Sequence, residues 1–196
     1  TEIAEKSKAI TVVDDAHGDF VIGKDGKGTP DYCKVAKKID VYISSLSKGL
    51  GSFGGYIASQ RNVVDLCINK SKSFIYTSAL PSFLVEYSFK RFQSNREVQK
   101  KKLEKNTKQL TDGLKGIGYE INSHSQIIPI IIGDEKKAME FGKFLFDNGV
   151  YAQPIRYPTV PKNQARLRIS VTAWLSGTEI EKTLVTFEKA YRKFYN

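Results

Sequence analysis

Lys48 stands in the stretch Ser44-Ser45-Leu46-Ser47-Lys48-Gly49-Leu50-Gly51-Ser52-Phe53-Gly54-Gly55, small, polar and flexible residues directly after the apolar run Val41-Tyr42-Ile43. An amine that must form an imine is served by such surroundings. Glycines and serines let a flat, carbonyl-bearing cofactor approach the backbone, and burial favours the neutral, nucleophilic amine. The stretch also reads as a Gly/Ser-rich loop with one surface lysine. A second group, Asp14-Asp15-Ala16-His17-Gly18, closes a β-branched run over residues 9–13. In open α/β sheets ligands gather beyond the carboxyl ends of strands, although a strand-end turn rich in Asp and Gly needs no ligand. A third, Arg166 and Arg168, alternates with Leu167 and Ile169. Arginine captures a carboxylate through two parallel hydrogen bonds, while Arg166 reads equally as a charged residue on an exposed strand face.

Together these are what a pyridoxal phosphate enzyme requires. A carboxylate (Asp14) keeps the pyridine nitrogen protonated, a lysine (Lys48) holds the cofactor and carries a proton, and an arginine (Arg168) orients the amino-acid substrate.

The elements that would position these groups follow from periodicity. Residues 9–13 read as a buried parallel strand, 40–44 as a second strand, and 55–59 as a third, antiparallel to its neighbour. A short helix is expected over 32–38 and another over 62–69. The loop expected over residues 19–31, ahead of both helices, carries Gly23-Lys24-Asp25-Gly26-Lys27-Gly28. It resembles a phosphate cradle only superficially, because no strand is expected directly before it and no helix N-terminus at its third glycine. Phe74-Ile75-Tyr76-Thr77-Ser78-Ala79-Leu80-Pro81 is strand-like, with a polar centre that would be wasteful in a core without partners. Pro81 then opens a helical segment to about residue 114, with Phe83, Leu84, Tyr87 and Phe92 at helical spacing. The domain boundary is placed here, giving residues 1–115 and 116–196. Residues 127–132 are a strand in which Pro129 implies an edge or a bulge. Residues 135–148 form an amphipathic helix with Ala138, Phe141, Leu145 and Phe146 inward. Strands over 150–155 and 166–172 and a last helix over 178–195 complete a β-α-β-β-α order, a two-layer α+β domain with an antiparallel sheet.

Composition narrows the classes. At 196 residues the chain can bury a sizeable core, and no apolar run approaches the length of about 18 residues that suggests a membrane span. Cys33 and Cys67 lack metal-ligand spacing, and His124, in a Ser/Asn loop, reads as plain surface, so no metal site is expected and a reducing, cytoplasmic compartment fits. The formal net charge of +10 is mostly lysine, concentrated in Lys90-Arg91 and Lys100-Lys101-Lys102-Leu103-Glu104-Lys105. Clustered cations can serve nucleic acid, but a solvated helix face is the favoured reading, and no exposed aromatics interleave the lysines.

Four segments resemble the α-oxoamine synthases, a family of pyridoxal phosphate enzymes: Val13-Asp14-Asp15-Ala16-His17-Gly18, Ser45-Leu46-Ser47-Lys48-Gly49-Leu50-Gly51-Ser52, Phe74-Ile75-Tyr76-Thr77-Ser78-Ala79-Leu80-Pro81, and Ala165-Arg166-Leu167-Arg168-Ile169-Ser170. They run in the family's order along nearly the whole chain. The wording of the first and third is nearest the branch that condenses L-alanine with pimeloyl-CoA in biotin synthesis. Branches that use glycine or serine stay open, as does a non-catalytic half that dimerises or binds nucleic acid.

The resemblance implies the α/β fold type I of pyridoxal phosphate transferases, of which this would be the second half of the large, mostly parallel-sheet domain plus the small C-terminal α+β domain. It implies that Asp14 pairs with the pyridine nitrogen, His17 contacts the cofactor's phenolic oxygen, Ser45 binds the phosphate and Lys48 forms the imine. Thr77, with Ser78, would reach the phosphate in the other subunit of a homodimer. Arg168 would take the substrate carboxylate, with Arg166 a supporting charge. Two departures stand out: Asp19-Phe20 follows Ala16-His17-Gly18 where the family has a small hydroxyl residue and glycine, and Trp174-Leu175 stands where relatives carry a histidine. The family's N-terminal half supplies the aromatic stacked on the ring and several acyl-CoA contacts. The chain is therefore expected to be inactive without that half.

Overall fold

The computed structural model describes residues 1–195. It divides into two compact units, Thr1–Glu97 and Val98–Asn196. The division falls at the head of a helix whose tail the sequence suggested as the boundary.

In the first unit, α1 (Glu2–Ser7) leads to β1 (Val12–Asp14), α2 (Thr29–Tyr32) and a 3-10 turn (Ala36–Lys38). Next come β2 (Val41–Ser45), β3 (Gly55–Ser59), α3 (Arg61–Lys70), α4 (Lys72–Ile75) and α5 (Ser82–Gln93). The sheet order is β1-β2-β3. β1 and β2 are parallel, with Asp14 opposite Ile43, and β3 is antiparallel to β2, with Tyr56 opposite Ser44. Two expectations need correction. β1 is not buried, since Val12 is 58% exposed at the sheet's edge. Residues 74–81 form no strand: Phe74 and Ile75 belong to α4, and Ala79 has a left-handed φ of 67°. Apolar β-branched and aromatic residues suggested a strand, but no neighbouring strand is available to complete its ladder. Their side chains are exposed instead, Phe74 at 58% and Tyr76 at 82%.

The expected single helix to residue 114 is two, α5 and α6 (Glu97–Ile117). The break has local chemistry: Arg96 Nη1 donates to the carbonyls of Arg91, Phe92 and Ser94, consuming the free acceptors at the end of α5. The Asn95 side chain accepts from the Glu97 N–H and starts the next helix.

The second unit holds β4 (Ile127–Gly133), α7 (Glu135–Asp147), β5 (Gln153–Ile155), β6 (Ala165–Ser170) and α8 (Gly177–Phe194). Its sheet is antiparallel in the order β4-β6-β5. Pro129 lies on the edge strand β4, and the register shifts between Ile131 and Gly133, as its lost N–H suggested. Leu110, Leu114, Ile128, Ile130, Phe141, Leu145, Leu167, Ile180 and Phe187 close the core, each worth about 1.5–3 kcal/mol of burial for the larger side chains. Phe146, expected inward, is 65% exposed. It follows Leu145 by one residue, about 100° around the helix, and falls off the apolar stripe. A capping box of Ser176 and Glu179 opens α8.

The burial is uneven. Among the described residues, Phe20, Val41 and Leu50 are the buried hydrophobics of the first unit, while the second has a full core. On α6, the exposed Lys108 pairs with Asp112 at i,i+4, while Lys100, its side chain 19% exposed, pairs with Glu104. No described helix is long and apolar enough to cross a membrane.

Candidate active site

Because β1 and β2 are parallel, the chain leaves both at the same edge of the sheet, and two turns meet there. After β1, the Ala16 N–H donates to Asp14 Oδ1 at 3.0 Å, while the N–H groups of Gly18 and Asp19 donate to the Asp15 carbonyl at 2.9 Å. After β2, Ser45 Oγ lies 2.8 Å from Ser47 Oγ and accepts from the Ser47 N–H. The lysine loop is then closed by Leu46 N–H to Gly54 O, Ser52 N–H to Leu46 O, and Gly51 N–H to Lys48 O. Gly51 and Gly54 take φ of 70° and 105°, which side chains rarely adopt. The two turns touch through Gly49: a Cβ there would stand 2.5 Å from the Asp19 carbonyl oxygen and 3.0 Å from Phe20 Cβ. Asp14, His17, Ser45 and Lys48 thus belong to adjoining segments at one sheet edge. Asp14 shares a sheet face with Ile43 and Ser45, its partner in register and the next residue but one. Lys48 is exposed rather than buried, because the first unit supplies no cover over this edge.

On the reverse face lie two acids to which the sequence assigned no role. Asp15 is buried and accepts from the Thr29 N–H at 2.7 Å, the Thr29 hydroxyl at 2.6 Å and the Tyr42 hydroxyl at 2.9 Å. Asp19 is buried and accepts from the Tyr56 hydroxyl at 2.6 Å. Burial, then the hydrogen bond to Asp15, pushes the Tyr42 phenol well above its ordinary range; burial, then Asp19, does the same to Tyr56. The legible signal was strand alternation: if Asp14 faces one side, Asp15 faces the other. Asp19, one of the two family departures, is therefore a structural acid.

Thr77 and Ser78 are exposed on the irregular segment after α4, and Leu80 of that segment packs by Gly54, 3.0 Å from where its Cβ would be. In the second unit, Arg166 and Arg168 point to the same face of β6, between the buried Leu167 and Ile169. Arg166 bonds back to Gln164, Nε to the carbonyl at 3.1 Å and Nη2 to Oε1 at 3.2 Å. Arg168 sits between Pro129 and Gln153 in register, and its Nε is buried with no hydrogen-bond partner. A buried donor left unpaired costs about 1–3 kcal/mol, which marks it as awaiting an acceptor. His124 is exposed, and Cys33 and Cys67 are free. Among the described residues no cluster of three or more His, Cys, Asp or Glu could hold a metal.

Comparison with known proteins agrees with this architecture. The profile of the aminotransferase class I and II family matches residues 1–187. An 8-amino-7-oxononanoate synthase of Thermoanaerobacter pseudethanolicus is 40% identical over 191 residues, 96% of this chain and 48% of that one. One of Treponema denticola is 38% identical over 190 residues, 95% of this chain and 48% of that one. A serine palmitoyltransferase from S. paucimobilis, solved with pyridoxal phosphate in a myriocin adduct, superposes with a TM-score of 0.89 at 25% identity, covering 99% of this chain and 50% of that one. The chain spans about half the length of the relatives it matches. By a match that runs almost from end to end, it belongs to the aminotransferase class I and II family.

Proposed function

We propose that this chain carries the lysine and the carboxylate-binding arginine of a pyridoxal phosphate-dependent acyltransferase. In the whole-length, homodimeric, cytoplasmic protein the reaction joins L-alanine to pimeloyl-CoA, giving 8-amino-7-oxononanoate, CoA and CO2 in biotin synthesis. The observation that carries this reading is the junction of the two turns at Gly49, where the segment with Asp14 and His17 meets the segment with Ser45 and Lys48. The donor set fits the cofactor: an exposed amine, hydroxyls at the strand end, and a carboxylate on the same sheet edge. Two relatives, 40% and 38% identical, bear the name of this synthase.

When bound, pyridoxal phosphate supplies an electron sink for the amino acid's Cα. Lys48 would hold the cofactor through its Nζ, and the same amine would move the proton at the substrate Cα. Asp14 holds the proton on the pyridine nitrogen; its Oδ1 is engaged by the Ala16 N–H, which fixes the carboxylate's direction. His17 contacts the phenolic oxygen, and Ser45 donates to the phosphate, joined from a second subunit by Thr77 and Ser78. Arg168 orients the substrate carboxylate with its unpaired Nε, and Arg166 adds positive charge.

The test uses the whole-length protein loaded with pyridoxal phosphate. Borohydride reduction and peptide mapping are expected to find the phosphopyridoxyl group on Lys48 and to lose it in Lys48→Ala. Labelling elsewhere overturns the assignment. Turnover with L-alanine, glycine and L-serine, each with pimeloyl-CoA and palmitoyl-CoA, separates the biotin branch from the others.

A further inference from the structure

We infer that Asp15 is a positioning residue for the cofactor-facing turn, acting from the reverse face of the sheet through Tyr42 and Thr29. This rests on the reading above, in which Asp14 and His17 face the cofactor. The Asp15 carboxylate is engaged by Thr29 and Tyr42, behind the sheet. Its backbone carries the turn, since its N–H donates to Ile43 O at 2.9 Å and its carbonyl accepts from Gly18 and Asp19. Its side chain ties that turn to two distant segments, to β2 through Tyr42 and to the start of α2 through Thr29.

The carboxylate is closely packed by two glycines. A Cβ at Gly18 would stand 2.2 Å from Asp15 Oδ1, and one at Gly28 would stand 2.3 Å from Oδ2 and 2.6 Å from the Tyr42 hydroxyl. Gly28 also has a φ of 90°. The glycine that follows His17 is thus required by the acid behind the sheet. A buried carboxylate with three donors is expensive to desolvate and is retained where it fixes geometry. Here the geometry fixed is that of Asp14, one residue before, and His17, two after.

The experiment compares Tyr42→Phe, Thr29→Val, Thr29→Ser and Asp15→Asn in the pyridoxal phosphate-loaded, whole-length protein. Tyr119→Phe is the control: it removes a buried hydroxyl that donates to Phe187 O at 2.8 Å, in the second unit. Tyr42→Phe and Thr29→Val are expected to weaken pyridoxal phosphate binding about threefold to tenfold, the factor one hydrogen bond carries. They should also shift the pH midpoint of the lysine-bound cofactor's visible absorbance, and Thr29→Ser should restore both. Tyr119→Phe should lower the melting temperature alone. If Tyr42→Phe and Thr29→Val behave like Tyr119→Phe, losing stability while affinity and spectrum stay as in the parent, Asp15 is merely structural and the inference fails. Asp15→Asn adds the larger effect where it folds; the single-hydroxyl variants decide the matter where it does not. Failure of the parent protein to label at Lys48 would instead overturn the proposed function.

Discussion

Gly49 lies so close to Asp19 that a single added methyl would stand 2.5 Å from its carbonyl oxygen. The neighbour is backbone, held in place by the Asp19 N–H to Asp15 O and by the Asp19 carboxylate to Tyr56, so it cannot swing aside as a flexible side chain would. Gly49→Ala must therefore push the two turns apart at the residue next to Lys48. The expected cost is about 1–3 kcal/mol of overpacking, with reduced phosphopyridoxyl labelling of Lys48. Gly51→Ala has open space but a φ of 70°, and should lose about 1–2 kcal/mol through backbone strain alone. Gly116→Ala, on α6 with nothing within 4 Å, should gain about 0.5–1 kcal/mol. Thermal unfolding of the three variants checks the signs, and a Gly49→Ala variant as stable as the parent would remove the close contact as a constraint.

The two arginines of β6 should separate in kinetics. Arg168 keeps a buried, unpaired Nε, whereas Arg166 is already bonded to Gln164. Arg168→Lys loses the planar fork that meets a carboxylate with two donors. It is expected to raise KM for the amino acid about tenfold to a hundredfold, the worth of about 1.5–3 kcal/mol for a charge-assisted hydrogen bond. KM for the acyl-CoA should stay near the parent value. Arg166→Ala should change the amino-acid KM less than threefold, about what an exposed charge contributes. Steady-state kinetics with both substrates varied checks this, and equal effects at the two positions would contradict the assignment to Arg168.

How far the sequence reached depends on where each residue's partners lie. β2, β3, α7, β6 and α8 were legible because their apolar residues find partners inside this chain, so that Leu167, Ile169 and Val171 alternate into a core that exists. Residues 74–81 were misread for the opposite reason: Phe74, Ile75 and Tyr76 are apolar without being buried, and the pattern rule assumes that they are. The break between α5 and α6 depends on Arg96 wrapping back onto three carbonyls, a tertiary choice that helical periodicity does not record. Within the proposed site, Asp14, Lys48 and Arg168 were singled out by residue type and spacing. Asp15 and Asp19 were given no role, because acids in a strand-end turn need no partner until Tyr42 and Tyr56 are seen behind them.

Those two tyrosines give a pH dependence. Burial and donation to Asp15 and Asp19 raise both phenols above the ordinary value of 10.0. A group whose folded-state pKa is raised contributes stability that is complete below its unfolded pKa and is lost as pH rises toward the folded one. The first unit should therefore keep the full contribution of these groups, with no pH slope from them, near neutral pH, and lose stability as pH rises above about 10. Tyr42→Phe should flatten that alkaline slope while lowering stability at pH 7. Denaturant midpoints between pH 7 and 11 check the sign, and an unchanged slope in both Tyr42→Phe and Tyr56→Phe would contradict it.

The apolar surface of the first unit bears on what the 196-residue chain does by itself. Phe74, Tyr76, Phe83, Phe89 and Phe92 are 58–82% exposed, a concentration that single scattered surface residues do not produce. The chain spans about half the length of its relatives, and Lys48 has no cover over its sheet edge. Alone, the chain should bind a hydrophobic dye such as ANS, self-associate at micromolar concentration, and give no detectable 8-amino-7-oxononanoate from L-alanine and pimeloyl-CoA. Co-expression with a chain carrying the other half of the fold should suppress dye binding and bring labelling to Lys48. Product formation by the isolated chain at a rate near that of a whole-length relative would mean that the amine needs no further cover, and that the proposed division of the site between two halves is wrong.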